Sequence, residues 1–88
     1  MKKKKVKPTE IEKCVRGILA KYTEVLDADV ELDSMLNDDL GLDSIDRVEL
    51  EIDIEKAFGI TFDDAQTDNV TTVGELIELI TSITDGTL

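Results

Sequence analysis

Apolar and acidic residues alternate strictly over residues 48–55, which leaves two possible structures for the middle of this 88-residue chain. By period alone, the alternation is typical of a half-buried strand. The flanking residues favour a helix, because Asp43 and Asp46 have the spacing of a capping box and Gly59 suits a C-terminal stop. The span between these flanks is a typical helix length and is long for a strand. We therefore predict a helix between Asp43 and Gly59.

The predicted helix has two apolar faces. With a rotation of about 100° per residue, Ile45, Val48 and Ile52 fall on one side of it. A second apolar group lies on nearly the opposite side and consists of Leu50, Ile54, Ala57 and Phe58. One face can pack against the core of the chain, which leaves the other face for a contact outside it.

Two further amphipathic helices are predicted near the ends of the chain. Thr9 and Thr72 are each followed three residues later by a glutamate, which is the spacing of a capping box. Apolar residues then recur at intervals of three and four, so we predict helices over residues 9–22 and 72–83. A shorter helix that ends near Asp68 is expected before the last of them.

Residues 23–42 must connect the first two long helices, and a connection of this length is unusual unless it is functional. We expect an ordered loop that packs against the core, with a short helical turn near residues 34–37. The apolar residues that can anchor this loop are Val25, Leu26, Val30, Leu32, Met35, Leu36, Leu40 and Leu42.

The charge is uneven along the chain. Five lysines lie in residues 1–7, which we interpret as a basic, disordered tail before a single domain of residues 8–88. That domain then has five basic residues against 21 acidic ones, a net charge of −16. Because such a surface repels phosphates and anionic lipid headgroups, we expect no nucleic acid partner and no membrane insertion, and basic protein partners are favoured.

The composition also excludes several kinds of catalysis. The chain contains no histidine, so it cannot build a Ser-His or Cys-His nucleophile pair. Its one cysteine, Cys14, falls on the apolar stripe of the first helix, and we expect a small buried hydrophobe in a reducing compartment. No export signal is recognisable, so we expect a cytoplasmic protein. Most of its paired carboxylates lie on solvated helix faces, and the short chain hardly allows the pocket that catalysis by them would need, so we expect no catalytic residues and no enzyme.

No specific metal site is predicted. Acidic residues alternate over residues 27–33, as they do in an EF-hand loop. Counted from Asp27, however, Leu32 and Asp38 occupy the positions where that loop needs glycine and glutamate. We expect at most a loose binding of divalent cations, which would relieve the repulsion between the acidic residues.

Ser44 is the candidate for chemical modification. It lies in the first turn of the predicted helix, although serine is also common at such positions for structural reasons alone. Without a base it is not an activated nucleophile, but a helix N-terminus favours a phosphate attached there. Ser44 is thus a candidate acceptor for a group that another enzyme adds. An acidic adaptor, in which Ser44 only begins the helix, stays open as an alternative.

Residues 38–46, with the sequence DDLGLDSID, closely resemble the phosphopantetheine attachment region of acyl carrier proteins. The resemblance extends over residues 9–83, so residues 8–88 are expected to form a single acyl carrier domain. It implies an all-α four-helix bundle with a long first loop and a short third helix. It also implies that Ser44, beside Asp43, bears a covalent 4'-phosphopantetheine arm derived from coenzyme A.

Members of this family carry acyl groups as thioesters between enzymes of fatty acid or related, polyketide-like biosynthesis. Peptidyl and D-alanyl carrier proteins share the architecture and the modified serine, so they stay open as alternatives. The implied partners are a phosphopantetheinyl transferase and acyl-processing enzymes with basic patches, and we expect a monomer. The resemblance further implies that these partners dock on an apolar stripe with acidic neighbours, formed by Ile45, Asp46, Val48, Glu49, Ile52 and Glu55.

Two residues depart from the family pattern. Arg47 and Glu51 stand where related chains commonly have small or apolar residues at one edge of the acyl pocket. Because they are four residues apart on a helix, they can pair. One interpretation is an arginine with a buried stem and a charged head in solvent, held by Glu51. The other is that the pair narrows or polarises the pocket entrance, so that long acyl chains are held poorly.

Overall fold

The computed structural model describes residues 8–84, and side chains within residues 10–84. Over that range the chain is helical and contains no strand, which confirms a four-helix fold with a long first loop and a short third helix. The expected basic tail of residues 1–7 lies outside the described residues. No helix of the described part has the length and apolar character needed to span a bilayer. The helices are α1 (Pro8–Leu19), α2 (Ser44–Phe58), α3 (Asp64–Asp68) and α4 (Val73–Thr84), and the first loop contains a 3-10 turn at Asp27–Asp29.

The middle of the chain is a helix because local hydrogen bonds fix both of its ends. The N–H of Asp46 donates to the Asp43 carboxylate at 2.8 Å, and the N–H of Asp43 donates to the Asp46 carboxylate at 3.3 Å. At the other end, Gly59 has a φ of 67° and its N–H donates to the carbonyl oxygen of Glu55. These bonds satisfy groups that a helix end leaves free, and they confirm the predicted cap and stop.

Helix α2 buries one of its two apolar faces. Leu50 and Ile54 are fully buried, and Phe58 packs partly buried against the core. Ala57 is exposed, so the inner face is narrower than the sequence predicts. The opposite face, with Ile52 among its residues, stays in solvent.

The core forms where α1 packs against both α2 and α4, together with parts of the loops. Removing this apolar surface from water is the main favourable contribution to folding. The buried apolar residues are Ile11, Val15, Leu19, Val30, Leu36, Leu40, Leu42, Leu50, Ile54, Val70, Val73, Leu76, Ile77 and Ile80.

Cys14 does not belong to this core. It is only half-buried, so the prediction of a buried cysteine is wrong, and it lies at the edge of the apolar stripe of α1.

The bounds of α1 differ from the prediction at both ends. The helix begins at Pro8, so Thr9 lies inside it and not at the cap. Proline suits the first helical position because its fixed φ is already helical and the N–H that it lacks would have no helical partner. The helix ends at Leu19, because the N–H groups of Lys21 and Tyr22 bond to carbonyl oxygens three residues back. Bonds of this kind tighten the chain into a 3-10-like turn and end the α-helix.

Helix α4 begins where the sequence predicts. The N–H of Glu75 donates to Thr72 Oγ1 at 3.1 Å, and the N–H of Thr72 donates to the Glu75 carboxylate at 3.2 Å. That carboxylate also accepts from the N–H and the hydroxyl of Thr71. The bonds from Thr71 and Thr72 together lower the pKa of Glu75. The charged Glu75 carboxylate therefore accepts three hydrogen bonds at this helix cap.

The first loop is ordered, although its details differ from the prediction. Leu26 and Leu32 are exposed and do not anchor it. Met35 forms an isolated antiparallel bridge with Thr72, which holds the chain extended where a helical turn was expected. The turn follows instead at residues 36–40. The residues that do fix this loop to the core are Val30, Leu36, Leu40 and Leu42.

Candidate functional site

Ser44 is the first residue of α2, and it is exposed. The chain reaches it through Gly41, whose φ of 74° lies in the left-handed region that glycine adopts without strain. Leu40 and Leu42 on either side of this glycine are buried and anchor the turn. Asn37 adds a hydrogen bond from Nδ2 to the carbonyl oxygen of Leu42 at 2.8 Å. The turn therefore presents Ser44 at the surface from a fixed position.

The chemistry around Ser44 suits a phosphate ester. Within residues 10–84 its hydroxyl has no hydrogen-bond partner. The residue stands at the N-terminus of a 15-residue helix, where free N–H groups and the helix dipole favour a negative group. The capping carboxylate of Asp43 uses only one of these N–H groups, that of Asp46. A phosphate on Ser44 would thus find free donors beside it.

The outer face of α2, formed by Ile45, Val48 and Ile52, is exposed to solvent. The three side chains are 67%, 55% and 43% exposed. At about 100° per residue they lie within one narrow strip of the helix surface. Large apolar side chains exposed together on a small protein indicate a contact surface. The structure thus brings together the three apolar residues that the sequence predicts for docking.

The predicted acidic neighbours of this outer face differ in exposure and in hydrogen bonding. Glu49 is exposed. Asp46 and Glu55 are half-buried, and their carboxylates accept the N–H groups of Asp43 and Phe62, respectively, the latter at 2.7 Å. Glu49 can therefore move toward a partner, whereas Asp46 and Glu55 present their charge from fixed positions.

A cleft of about 320 Å³ opens beside Ser44, and we call it the Ser44 cleft. Val48 is the one apolar residue in its lining, while Glu51, Asp64 and Asp68 give it an acidic wall. In the described part of the chain, no group of three or more potential metal-ligating side chains is arranged so that it could hold a metal ion. The residues that line the Ser44 cleft are Asn37, Ser44, Arg47, Val48, Glu51, Asp64, Thr67 and Asp68.

Arg47 connects the walls of the Ser44 cleft. Its Nη2 donates to the carbonyl oxygens of Val70 at 3.0 Å and Thr67 at 3.3 Å. Its Nη1 donates to Asn37 Oδ1 at 2.9 Å. The expected pairing with Glu51 is confirmed, with 3.9 Å between the charged atoms. Because the arginine side chain is only 18% exposed and its Nη2 donates to two main-chain carbonyl oxygens, the interpretation of a charged head in solvent is wrong.

The inward position of Arg47 has a local cause. Helix α3 has only five residues, and carbonyl oxygens at a helix C-terminus lack partners within the helix. The guanidinium adds a donor to the Thr67 carbonyl at this end, which also accepts the N–H of Val70, and it supplies a donor to the Val70 carbonyl beyond it. A hydrogen bond from a charged donor is worth about 1.5–3 kcal/mol. Burial also raises the pKa of Glu51, and the charge of Arg47 opposes that shift.

Asn37 belongs to the site but is not predicted from the sequence. Its Nδ2 holds the loop at Leu42 and its Oδ1 accepts from Arg47, so it links the turn before Ser44 to the cleft. The signal that could have identified it is composition, since Asn37 is the one side-chain amide in the loop of residues 23–42. An amide can donate and accept at once, which this position requires.

Comparison with known proteins agrees with this geometry. The family described as "Phosphopantetheine attachment site" matches residues 14–80, which include Ser44 and all of α2 and α3. The chain is also 38% identical over 71 residues to the acyl carrier protein of Thermotoga maritima. The aligned part makes up 81% of this chain and 88% of that relative.

Proposed function

The chain belongs to the acyl carrier protein family, whose members bear a covalently attached phosphopantetheine, and we propose that Ser44 is its attachment residue. The observation that carries the proposal is an exposed hydroxyl without a partner at the N-terminus of a 15-residue helix. The other two serines differ from it. Ser34 accepts the N–H of Glu31 at 2.9 Å, and Ser82 lies within α4.

Attachment requires one bond to form and one to break. The Ser44 oxygen would bond to the phosphorus of coenzyme A that bears the pantetheine. The bond from that phosphorus to the bridging oxygen would break, and 3',5'-ADP would leave. The Ser44 proton would pass to a base of the transferase, because this chain has no histidine to receive it. Once attached, the arm holds acyl groups as thioesters on its terminal thiol.

The outer face of α2 is the proposed docking surface for partner enzymes. Ile45 and Val48 follow Ser44 within one turn, so an enzyme that covers them also reaches the hydroxyl. Buried apolar anchors supply most of the binding free energy of an interface, while charges mainly set encounter rate and orientation. Glu49, Asp46 and Glu55 give this surface its negative charge, so the partners we propose present basic patches.

The proposed cellular role is that of a carrier and not an enzyme. The domain of residues 8–88 would act as a cytoplasmic monomer. It would pass acyl intermediates between enzymes of fatty acid or polyketide-like biosynthesis. Family membership and the acyl carrier relative support this role.

The test is intact mass spectrometry after incubation with coenzyme A and a broad-specificity phosphopantetheinyl transferase. We expect the wild-type chain and Ser34→Ala to gain one phosphopantetheine, and Ser44→Ala to gain none. Ser34→Ala is the matched control because it also removes one serine hydroxyl, ten residues before Ser44 in the chain. An unchanged wild-type mass would contradict the proposal and favour an acidic adaptor. A gain by Ser44→Ala would contradict Ser44 as the attachment residue.

A further inference from the structure

We propose that Arg47 excludes aliphatic chains from the Ser44 cleft, so that this carrier holds short or polar acyl groups and leaves longer hydrocarbon chains in solvent. This inference rests on the proposed attachment of the arm at Ser44. It adds the chemical class of the cargo to that function.

The position of Arg47 along α2 is the first support. Ser44, Arg47 and Glu51 are spaced by three and four residues, so they lie on one side of the helix, and all three line the Ser44 cleft. A chain attached at Ser44 that folds back along this side meets Arg47 one turn away. It meets Glu51 one turn later.

The bonds of Arg47 are the second support. The guanidinium already donates to Asn37 and to two main-chain carbonyl oxygens. Thr67 and Val70, which provide those carbonyls, are buried. An alkyl chain that displaced Arg47 would leave the buried carbonyl oxygen of Val70 without its charged donor, while that of Thr67 would keep the N–H of Val70. A buried polar group that loses its partner is strongly unfavourable.

The remaining lining of the cleft is the third support. Hydrophobic stabilisation is roughly proportional to the apolar area removed from water. Val48 is the one apolar residue that lines the cleft, and it belongs to the exposed outer face, so the other carbon atoms that a hydrocarbon chain would meet belong to polar and charged side chains. Asp64 and Asp68, on α3, are exposed carboxylates that stay hydrated. A short acyl group, or one with hydroxyl, carbonyl or amino substituents, has no such apolar surface to bury.

The test compares acetyl and octanoyl groups on the same arm, in the wild-type chain and in the double variant Arg47→Thr with Glu51→Val. The melting temperature and the rate of thioester hydrolysis are measured for each load. For the wild-type chain we expect the same Tm and the same hydrolysis rate with both. In the double variant, octanoyl should raise Tm by about 4–8 °C over acetyl, the shift expected from burying about one methylene in a domain of this size. It should also slow hydrolysis. Because octanoyl is compared with acetyl on the same chain, the stability that is lost through the substitutions does not affect the comparison.

The chain offers a chemically matched control in Glu12→Val with Arg16→Thr. Arg16 lies 3.0 Å from Glu12 and donates to the carbonyl oxygens of Asp27 at 3.1 Å and Val30 at 2.7 Å. It resembles Arg47 in all of these contacts, but it does not line the Ser44 cleft. This control should lower Tm equally for both loads, without a gain from octanoyl.

The outcomes separate the cargo preference from the attachment itself. An octanoyl gain in the wild-type chain equal to that in the double variant would overturn the proposal, and so would a double variant without any gain. If the double variant does not fold, Arg47→Met, which keeps the stem and removes the charge, is measured in the same way with the same expected gain. Absence of the arm on the wild-type chain, seen by intact mass before acylation, would instead overturn attachment at Ser44.

Discussion

The hydroxyl of Tyr22 donates a hydrogen bond to the carboxylate of Asp53, which joins the turn after α1 to the middle of α2. Lys21 Nζ lies 3.1 Å from the same carboxylate. The bond to Asp53 is the main reason that the pKa of Tyr22 rises to about 12, and the same bond, followed by Lys21, lowers the pKa of Asp53. The contact therefore helps to hold α2, which begins at Ser44, against α1.

The titration of Tyr22 gives the first prediction. Its pKa is raised from 10.0 to about 12, so its contribution to stability is complete below about pH 10 and is lost as the pH rises through about 12. Phenolate absorbance reports this residue alone, because the chain has one tyrosine and no tryptophan. We expect a midpoint near pH 12 while circular dichroism stays helical.

The matched variants for this titration are Asp53→Asn and Asp33→Asn. Each removes one negative charge, but only Asp53 accepts from Tyr22. We expect Asp53→Asn to lower the phenol midpoint and Asp33→Asn to leave it unchanged. A midpoint near the ordinary value of 10.0 in the folded wild-type chain would contradict the contact.

Two glycine substitutions should change stability in opposite directions. A Cβ on Gly17 meets no atom within 4 Å, so Gly17→Ala should raise the free energy of unfolding by about 0.5–1 kcal/mol through helix propensity. A Cβ on Gly74 would lie 3.0 Å from the carbonyl oxygen of Leu32, which already accepts the Gly74 N–H at 2.7 Å. Gly74→Ala should therefore destabilise the chain. Urea unfolding measures the stability of both variants. A gain from both would contradict this prediction and show that the carbonyl of Leu32 moves to make room for the added Cβ.

The two faces of α2 should separate folding from docking. Leu50 is buried, so Leu50→Ala should lower the free energy of unfolding by about 2–5 kcal/mol. Ile52 is exposed, so Ile52→Ala should cost less than about 1 kcal/mol and should weaken binding of the transferase. Urea unfolding and the KM of phosphopantetheine transfer are the two measurements. Unchanged transfer by Ile52→Ala would remove this residue from the docking surface.

Substitutions of Asp43 should separate the effect of its helix-capping hydrogen bond from the effect of its negative charge on phosphopantetheine transfer to Ser44. Asp43→Ala removes the acceptor for the N–H of Asp46 and should cost about 1 kcal/mol of stability. Asparagine caps a helix about as well, so Asp43→Asn should keep most of the stability while it removes one negative charge. We expect Asp43→Asn to lower kcat/KM for transfer at low salt and less so at high salt. An effect independent of salt would argue against charge-guided docking.

Helix α2 could be predicted from the sequence because its signals are local. The acceptor for its first turn is Asp43 itself, and the stop is Gly59, one residue beyond its end. These signals outweigh the strand-like alternation, since that alternation is also what a helix with two apolar faces produces. The helix wheel separated Ile45 and Ile52 from the other apolar face, and the family resemblance then implied that they lie on the exposed side, as they do.

The arrangement of Arg47 could not be predicted in the same way. Its acceptors on Thr67 and Val70 are main-chain carbonyl oxygens 20 and 23 residues away, and side-chain patterns carry no information about them. The helix spacing revealed only the contact of Arg47 with Glu51. At 3.9 Å this is the longest of the four contacts that the guanidinium makes. The exposure of Leu32 was missed for a related reason, because a loop residue has no periodic pattern that assigns it to a face.

Fragmentation mass spectrometry of the loaded chain tests the assignment of Ser44 most directly. Trypsin cleaves after Lys21 and Arg47, so one peptide of residues 22–47 contains both Ser34 and Ser44. We predict that fragments with Ser44 and without Ser34 retain the phosphopantetheine mass, and that fragments with Ser34 alone do not. A phosphopantetheine located on Ser34, or on any residue outside this peptide, would contradict Ser44 as the attachment residue.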